Sequence, residues 1–246
     1  MKLFFTLLLT LFFTASALAE QARVAVASNF ILPMKSLIEA FEANSPYFIK
    51  ASYGSSGKLF AQISHGAPFD IFFSADQAKP DALISSGLAT AEHRFTYAQG
   101  KLLLWSNKRS SVKTVSEVLM GGQYNKIALA NPKLAPYGAA AKSVLVELSL
   151  ANATRKKWVM GENISQVYSF VAYGSVDIGF VAQSQLITSN VSGQVWQIPP
   201  SLYEPINQDA VLLMKSKTNI AAMAFWTFLH TDEAKKIIQA YGYETF

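Results

Sequence analysis

Gly66-Ala67-Pro68-Phe69-Asp70-Ile71-Phe72-Phe73-Ser74-Ala75-Asp76 is the stretch from which the fold is read. Its centre, Ile71-Phe72-Phe73, is apolar without alternation and is flanked by Asp70 and Ser74. A strand with one wet face alternates apolar and polar residues, whereas a strand covered on both faces has no need to. The run therefore reads as a strand inside a largely parallel sheet with helices on both sides. Asp76 then reads as the N-cap of a helix over Gln77–Ile84.

The same rhythm extends in both directions. Upstream, Arg23–Ala27 reads as a short strand. Met34, Leu37, Ile38 and Phe41 recur at helical spacing until Asn44-Ser45-Pro46 ends the helix. Pro33 falls in that helix's first turns, where a missing N–H costs little. Phe48–Tyr53 is a second strand, broken by Gly54-Ser55-Ser56-Gly57 before a helix over Lys58–His65. Downstream, strands are expected at Leu102–Trp105, Ile127–Ala130, Ile178–Val181, Val195–Ile198 and Ala210–Leu213. Helices are expected over Gly138–Ser149, from an Asn163 cap to Tyr173, over Asn219–Leu229 and over Asp232–Tyr241. Strands alternating with helices predict open, mostly parallel α/β sheets. There are too many strands for one small sheet and no short-period repeat.

Composition narrows the function. The 246 residues are 51% hydrophobic and 15% charged, which excludes a disordered chain. The absence of cysteine excludes disulfide scaffolds, zinc ribbons, thiolate nucleophiles and cysteine-held iron–sulfur clusters. A net charge of +5, scattered and with no basic run beyond Arg155-Lys156-Lys157, does not predict nucleic-acid binding. No cluster of carboxylates or histidines suggests a metal cation site. Trp105, Trp158, Trp196, Trp226 and the 17 Phe read as core residues.

Residues 1–19 read as a secretory signal peptide: Lys2, an uncharged stretch from Leu3 to Leu18, and a small-residue exit at Ala17-Leu18-Ala19. A membrane anchor is the competing reading, but the stretch is short for a hydrocarbon core of about 30 Å. With no cysteine for a lipid anchor, a Gram-negative periplasm is the expected compartment.

Open α/β sheets bind ligands beyond the carboxyl ends of their strands, where helix N-termini converge. Here those positions hold Ser28-Asn29, Ser55-Ser56, Ser74, Asn131 and Asn163, and almost no His, Arg or paired carboxylates. Helix N-termini present unpaired N–H groups and a partial positive charge. Hydroxyls among them suit capture of a small oxyanion by neutral hydrogen bonds. The competing reading of each residue is an ordinary helix cap, because Ser and Asn cap helices everywhere.

Val26-Ala27-Ser28-Asn29, Ser52–Leu59 and the Gly66–Asp76 stretch resemble the periplasmic molybdate-binding proteins of ABC importers. So do Asn131-Pro132 through Pro136-Tyr137-Gly138, Asp177–Val181 and Tyr241-Gly242-Tyr243. The resemblance implies an α/β, two-lobed periplasmic-binding-protein fold (type II), each lobe a mixed, mostly parallel sheet flanked by helices. It puts lobe one at 20–97 with 205–246, and lobe two at 98–204, with crossings near Tyr97–Lys101 and Pro199–Pro205. It implies oxyanion-binding roles for Ser28, Asn29, Ser56, Tyr137 and Ile164, through main-chain N–H groups and a few hydroxyls. Gly54 and Gly57 would let the backbone approach closely. Some members also use a tyrosine hydroxyl from the segment that here carries Ala182. Tyr137, which stands where those members have alanine, could supply a hydroxyl from the other side.

The implied ligand is molybdate or tungstate, with no cofactor. The implied partners are a membrane permease and its ATPase, the chain itself being a monomer. A cage of donors alone suits a fully ionised dianion and penalises protonated phosphate. Sulfate would have to be separated by size. Two further readings are another oxyanion receptor and a secreted serine hydrolase. The hydrolase is disfavoured because Gly54-Ser55-Ser56-Gly57 is not G-x-S-x-G. Nor do His65, His93 and His230 fall in a recognisable arrangement, so no enzyme activity is expected.

Overall fold

A computed structural model describes residues 20–108, 113–187 and 192–246; residues 1–19, on which the export reading rests, lie outside it. In chain order the strands are β1 (Gln21–Ala27), β2 (Phe48–Gly54), β3 (Ile71–Phe73), β4 (Ala89–Gly100), β5 (Leu102–Ser106), β6 (Ile127–Ala130), β7 (Trp158–Gly161), β8 (Ile178–Ala182), β9 (Gln194–Gln197) and β10 (Ile206–Leu213). The helices are α1 (Ile31–Ala43), α2 (Ser56–Ser64), α3 (Ala78–Ser85), α4 (Val115–Met120), α5 (Pro136–Glu147), α6 (Ala151–Thr154), α7 (Ile164–Ala172), α8 (Gln183–Ile187), α9 (Ile220–Phe228) and α10 (Asp232–Ala240).

The strands form two five-stranded sheets, ordered β2-β1-β3-β10-β4 and β7-β6-β8-β5-β9. Pairing is parallel among β2, β1 and β3 and among β7, β6 and β8. It is antiparallel on both flanks of β10 and of β5. Each sheet is therefore mixed, with one strand running against the other four. In each it is the strand entered on arrival from the other sheet. The chain leaves the first sheet at Lys101 and returns through Ile198–Pro205, which contains a 3-10 turn at Pro200–Leu202. The Tyr203 hydroxyl accepts from the Leu102 N–H at 3.2 Å, tying the two passages together.

Strand β3 shows why an unalternating apolar run was required. Ile71, Phe72 and Phe73 are wholly buried. Ile71 and Phe73 pack with Val24, Val26, Met34, Leu37 and Phe225 on one face, while Phe72 packs with Ala25, Leu59, Ile63, Leu83 and Val211 on the other. The second sheet has its own core, built around Leu104, Trp105, Leu129, Val144, Val167 and Phe180.

Two departures from the sequence reading have physical causes. Helix α3 begins at Ala78, one residue later than expected, and Gln77 holds the N-cap position without a side-chain cap. Asp76 sits just before it, its carboxylate accepting from the Lys79 N–H at 3.1 Å and from the Ser74 hydroxyl at 3.0 Å. The long strand β4 was not expected, because as an edge strand it carries Glu92, His93 and Arg94 in place of an apolar pattern.

Asp177 fastens one end of the second sheet. Its carboxylate accepts from the Lys108 Nζ at 2.7 Å and from the N–H groups of Asn125 and Lys126 at 2.9 and 3.1 Å. The Lys108 hydrogen bond, with the two backbone N–H groups, holds its pKa below the usual carboxylate value. A carboxyl more acidic when folded than when unfolded stabilises the fold above its unfolded pKa, and that contribution is lost as pH falls through the folded value. The melting temperature of Asp177→Asn should therefore lie below wild type at pH 7 and converge on it in acid.

Candidate functional site

Ser28, Asn29, Ser56, Tyr137 and Ile164 all line one pocket between the two sheets, together with Ser55, Ala75 and Pro136. Each of the five stands at the start of a helix following a strand. Ser28 and Asn29 form the 3-10 turn between β1 and α1, and Ser56 is the first residue of α2 after β2. Tyr137 is the second residue of α5, behind Pro136, and Ile164 is the first of α7. The first N–H groups of a helix have no acceptor within it. At α7 the cap sharpens this: Asn163 Oδ1 accepts from the N–H of Ser165 and Gln166, at 3.0 and 3.1 Å, and leaves that of Ile164 aside.

None of the described residues lining the pocket carries a charged side chain. The nearby cation Lys58 is turned to Glu162, with both carboxylate oxygens at 3.1 Å. What the pocket offers is therefore N–H and O–H donors backed by four helix starts, an arrangement suited to an oxyanion that only accepts. The Ser56 hydroxyl accepts from the Ala75 N–H at 2.9 Å, which fixes the oxygen and leaves its proton to be donated.

The two halves touch around this pocket through neutral hydrogen bonds. The Gly57 N–H donates to the Leu134 carbonyl at 2.8 Å. The Ser165 hydroxyl donates to the Ser28 carbonyl at 3.0 Å, and the Ser184 hydroxyl to the Asn29 carbonyl at 2.9 Å. A Cβ at Gly57 would lie 3.0 Å from the Leu134 Cα and carbonyl oxygen, so here glycine is required for close approach. Gly54 is different, since its Cβ would meet only Leu59 at an ordinary 3.4 Å.

Behind the pocket runs a buried polar network that sequence reasoning missed. The Asn29 Nδ2 donates to Gln208 Oε1 at 2.7 Å and to the Tyr243 hydroxyl at 2.9 Å. The Tyr97 hydroxyl also donates to Gln208 Oε1, at 3.0 Å, and Gln208 Nε2 donates to the Tyr137 hydroxyl at 3.3 Å. The Tyr137 hydroxyl therefore lies inside that network. Its ring thus reaches past the open side of Gly100 into the network, and its oxygen is occupied there. Ala182 is wholly buried, and its N–H donates to Gln185 Oε1 at 2.9 Å. Burial pushes the pKa of Tyr97 and Tyr137 well above the ordinary phenol value and raises that of Tyr243, so all three remain protonated at neutral pH. The one available clue was Gln208-Asp209, two polar residues directly before the apolar stretch Ala210–Leu213.

Two α/β halves joined by two passages around a pocket of neutral donors define a solute receptor. Residues 22–244 match the model of the bacterial extracellular solute-binding proteins, and the chain belongs to that family. It is 44% identical to the molybdate-binding protein ModA of Azotobacter vinelandii over 93% of this chain and 91% of that one. It is 42% identical to ModA of Rhodobacter capsulatus over 93% and 90%. Among solved structures, the periplasmic molybdate-binding protein of Azotobacter vinelandii superposes with a TM-score of 0.87 at 37% identity, covering 92% of this chain and 99% of that one.

Proposed function

We propose that the chain captures molybdate, or tungstate, in the pocket between its halves and delivers it to the permease of an ABC importer driven by an ATPase. The observation that carries this is the meeting of four helix starts, two from each half, around a pocket whose described lining has no charged side chain. Ser28 and Ser56 donate hydroxyl and main-chain protons, and Asn29, Tyr137 and Ile164 donate main-chain N–H groups. The placement of the Tyr137 hydroxyl beside Gly100 and Gln208, neither of which lines the pocket, favours its N–H, rather than its hydroxyl, as the contribution to the ligand. A donor-only lining disfavours an anion that still carries a proton, while reach from both sides at once favours longer metal–oxygen bonds over those of sulfate.

The rigid units are lobe one (20–97 with 205–246) and lobe two (98–204), which open and close about the two passages. The chain works as an exported monomer in the periplasm after loss of residues 1–19. It needs no cofactor and catalyses no reaction.

The test is a melting series with molybdate, tungstate, sulfate and phosphate. A ligand at a hundred times its dissociation constant adds about 2.7 kcal/mol, which for a chain of this size raises the melting temperature by roughly 5–10 °C. Molybdate and tungstate should give this shift at micromolar concentration, and sulfate and phosphate should not. Ser56→Ala should weaken molybdate binding about tenfold or more, since hydrogen bonds to charged groups are the strong ones. Equal shifts with sulfate would move the assignment to a general tetrahedral-anion receptor.

A further inference from the structure

We propose that the Ser55 hydroxyl is a direct donor to the bound oxyanion, a role that rests on the reading of this pocket as the oxyanion site. Ser55 occupies the N-cap position of α2 with extended backbone angles (φ −70°, ψ 144°) and is 2% exposed. A serine there ordinarily turns its oxygen onto the N–H of the second or third helical residue. Thr114, Asn163, Asn219 and Thr231 cap their helices in this way. Ser55 makes no such bond. The N–H of Gly57, the second residue of α2, is instead committed across the interface to the Leu134 carbonyl at 2.8 Å.

Among the described residues, two buried side-chain polar atoms have no partner, the hydroxyls of Ser55 and Ser216. Only Ser55 lines the pocket. A hydroxyl shut away from water with nothing to bond costs free energy, and an incoming anion that accepts its proton removes that cost. Ser55 and Ser56 then play distinct parts. The Ser56 oxygen is anchored by the Ala75 N–H, whereas the Ser55 hydroxyl is free to rotate onto whichever anion oxygen comes within reach.

The experiment compares wild type, Ser55→Ala and Ser55→Cys by calorimetric titration with sodium molybdate and by melting without ligand. The cysteine variant keeps the shape but is a weak donor, and it decides the matter if the alanine variant fails to fold. Both variants should lose about tenfold in molybdate affinity, while the ligand-free melting temperature stays level or rises. Unchanged affinity, or a fall in ligand-free melting with affinity retained, would make Ser55 a structural cap and overturn the proposal. A wild-type protein that binds neither molybdate nor tungstate would instead overturn the oxyanion reading itself.

Discussion

Gly57→Leu should fold with an unaltered ligand-free melting temperature and lose about a hundredfold or more in molybdate affinity. The nearest atoms to a Cβ at this position all belong to Leu134, on the far side of the interface. On the proposed opening and closing of the lobes, the cost falls on the closed arrangement alone, where the added side chain must displace the opposing backbone. Overpacking of this kind costs about 1–3 kcal/mol and sometimes more. A branched four-carbon side chain against main chain belongs at the upper end, and each factor of ten in affinity is about 1.4 kcal/mol. The substitution also prises apart the Gly57–Leu134 hydrogen bond. Titration calorimetry measures the loss. Wild-type affinity in Gly57→Leu would mean that the ligand is held without this interface closing.

Asp209→Ala should do the opposite, lowering stability while leaving the ligand contacts in place. Asp209 is 1% exposed and accepts from Arg94 Nε at 2.5 Å, the Thr96 hydroxyl at 2.7 Å and Gln77 Nε2 at 3.1 Å. Removing it takes an acceptor away from three donors, one of them cationic. Breaking a buried ion pair from one side costs about 3–5 kcal/mol. The lower figure applies because the Arg94 side chain is 23% exposed and keeps Asp81 as a partner. At roughly 2–4 °C per kcal/mol for a chain of this length, melting should fall by about 6–12 °C. Asp209→Asn, which retains an accepting oxygen, should fall by less. Differential scanning calorimetry distinguishes the two variants, and a loss under 2 °C in Asp209→Ala would show that the carboxylate contributes little.

The fold is legible in the sequence wherever burial is two-sided or a helix has one apolar face. Ile71–Phe73 matches β3 residue for residue, and Ile127–Ala130 matches β6, because both faces of each strand must be apolar. Strand β4 escapes notice because an edge strand satisfies half its backbone and much of its surface with polar neighbours. Its Arg94 reads as a surface charge until Asp209, 115 positions away in sequence, is placed beside it. The candidate ligands are legible as a group, since hydroxyl and amide residues recur after successive strands. The roles of their side chains are not. Whether a tyrosine at the start of α5 turns its hydroxyl towards a ligand depends on Gly100 and Gln208, which come from the first sheet, and no local pattern encodes that meeting. Ser55 is hidden for a similar reason, as nothing local distinguishes a serine that caps its helix from one that does not.

The shared strand order of the two sheets bears on the shape of the guest. In that order β1 corresponds to β6 and β2 to β7, so the turns into α1 and α2 correspond to those into α5 and α7. The four helix starts are thus two related pairs, one from each half. A tetrahedron has pairs of opposite edges, so each half can meet one edge of a tetrahedral anion. A flat, three-cornered anion such as nitrate has no pair of opposite edges, so two pairs of helix starts could not each take one.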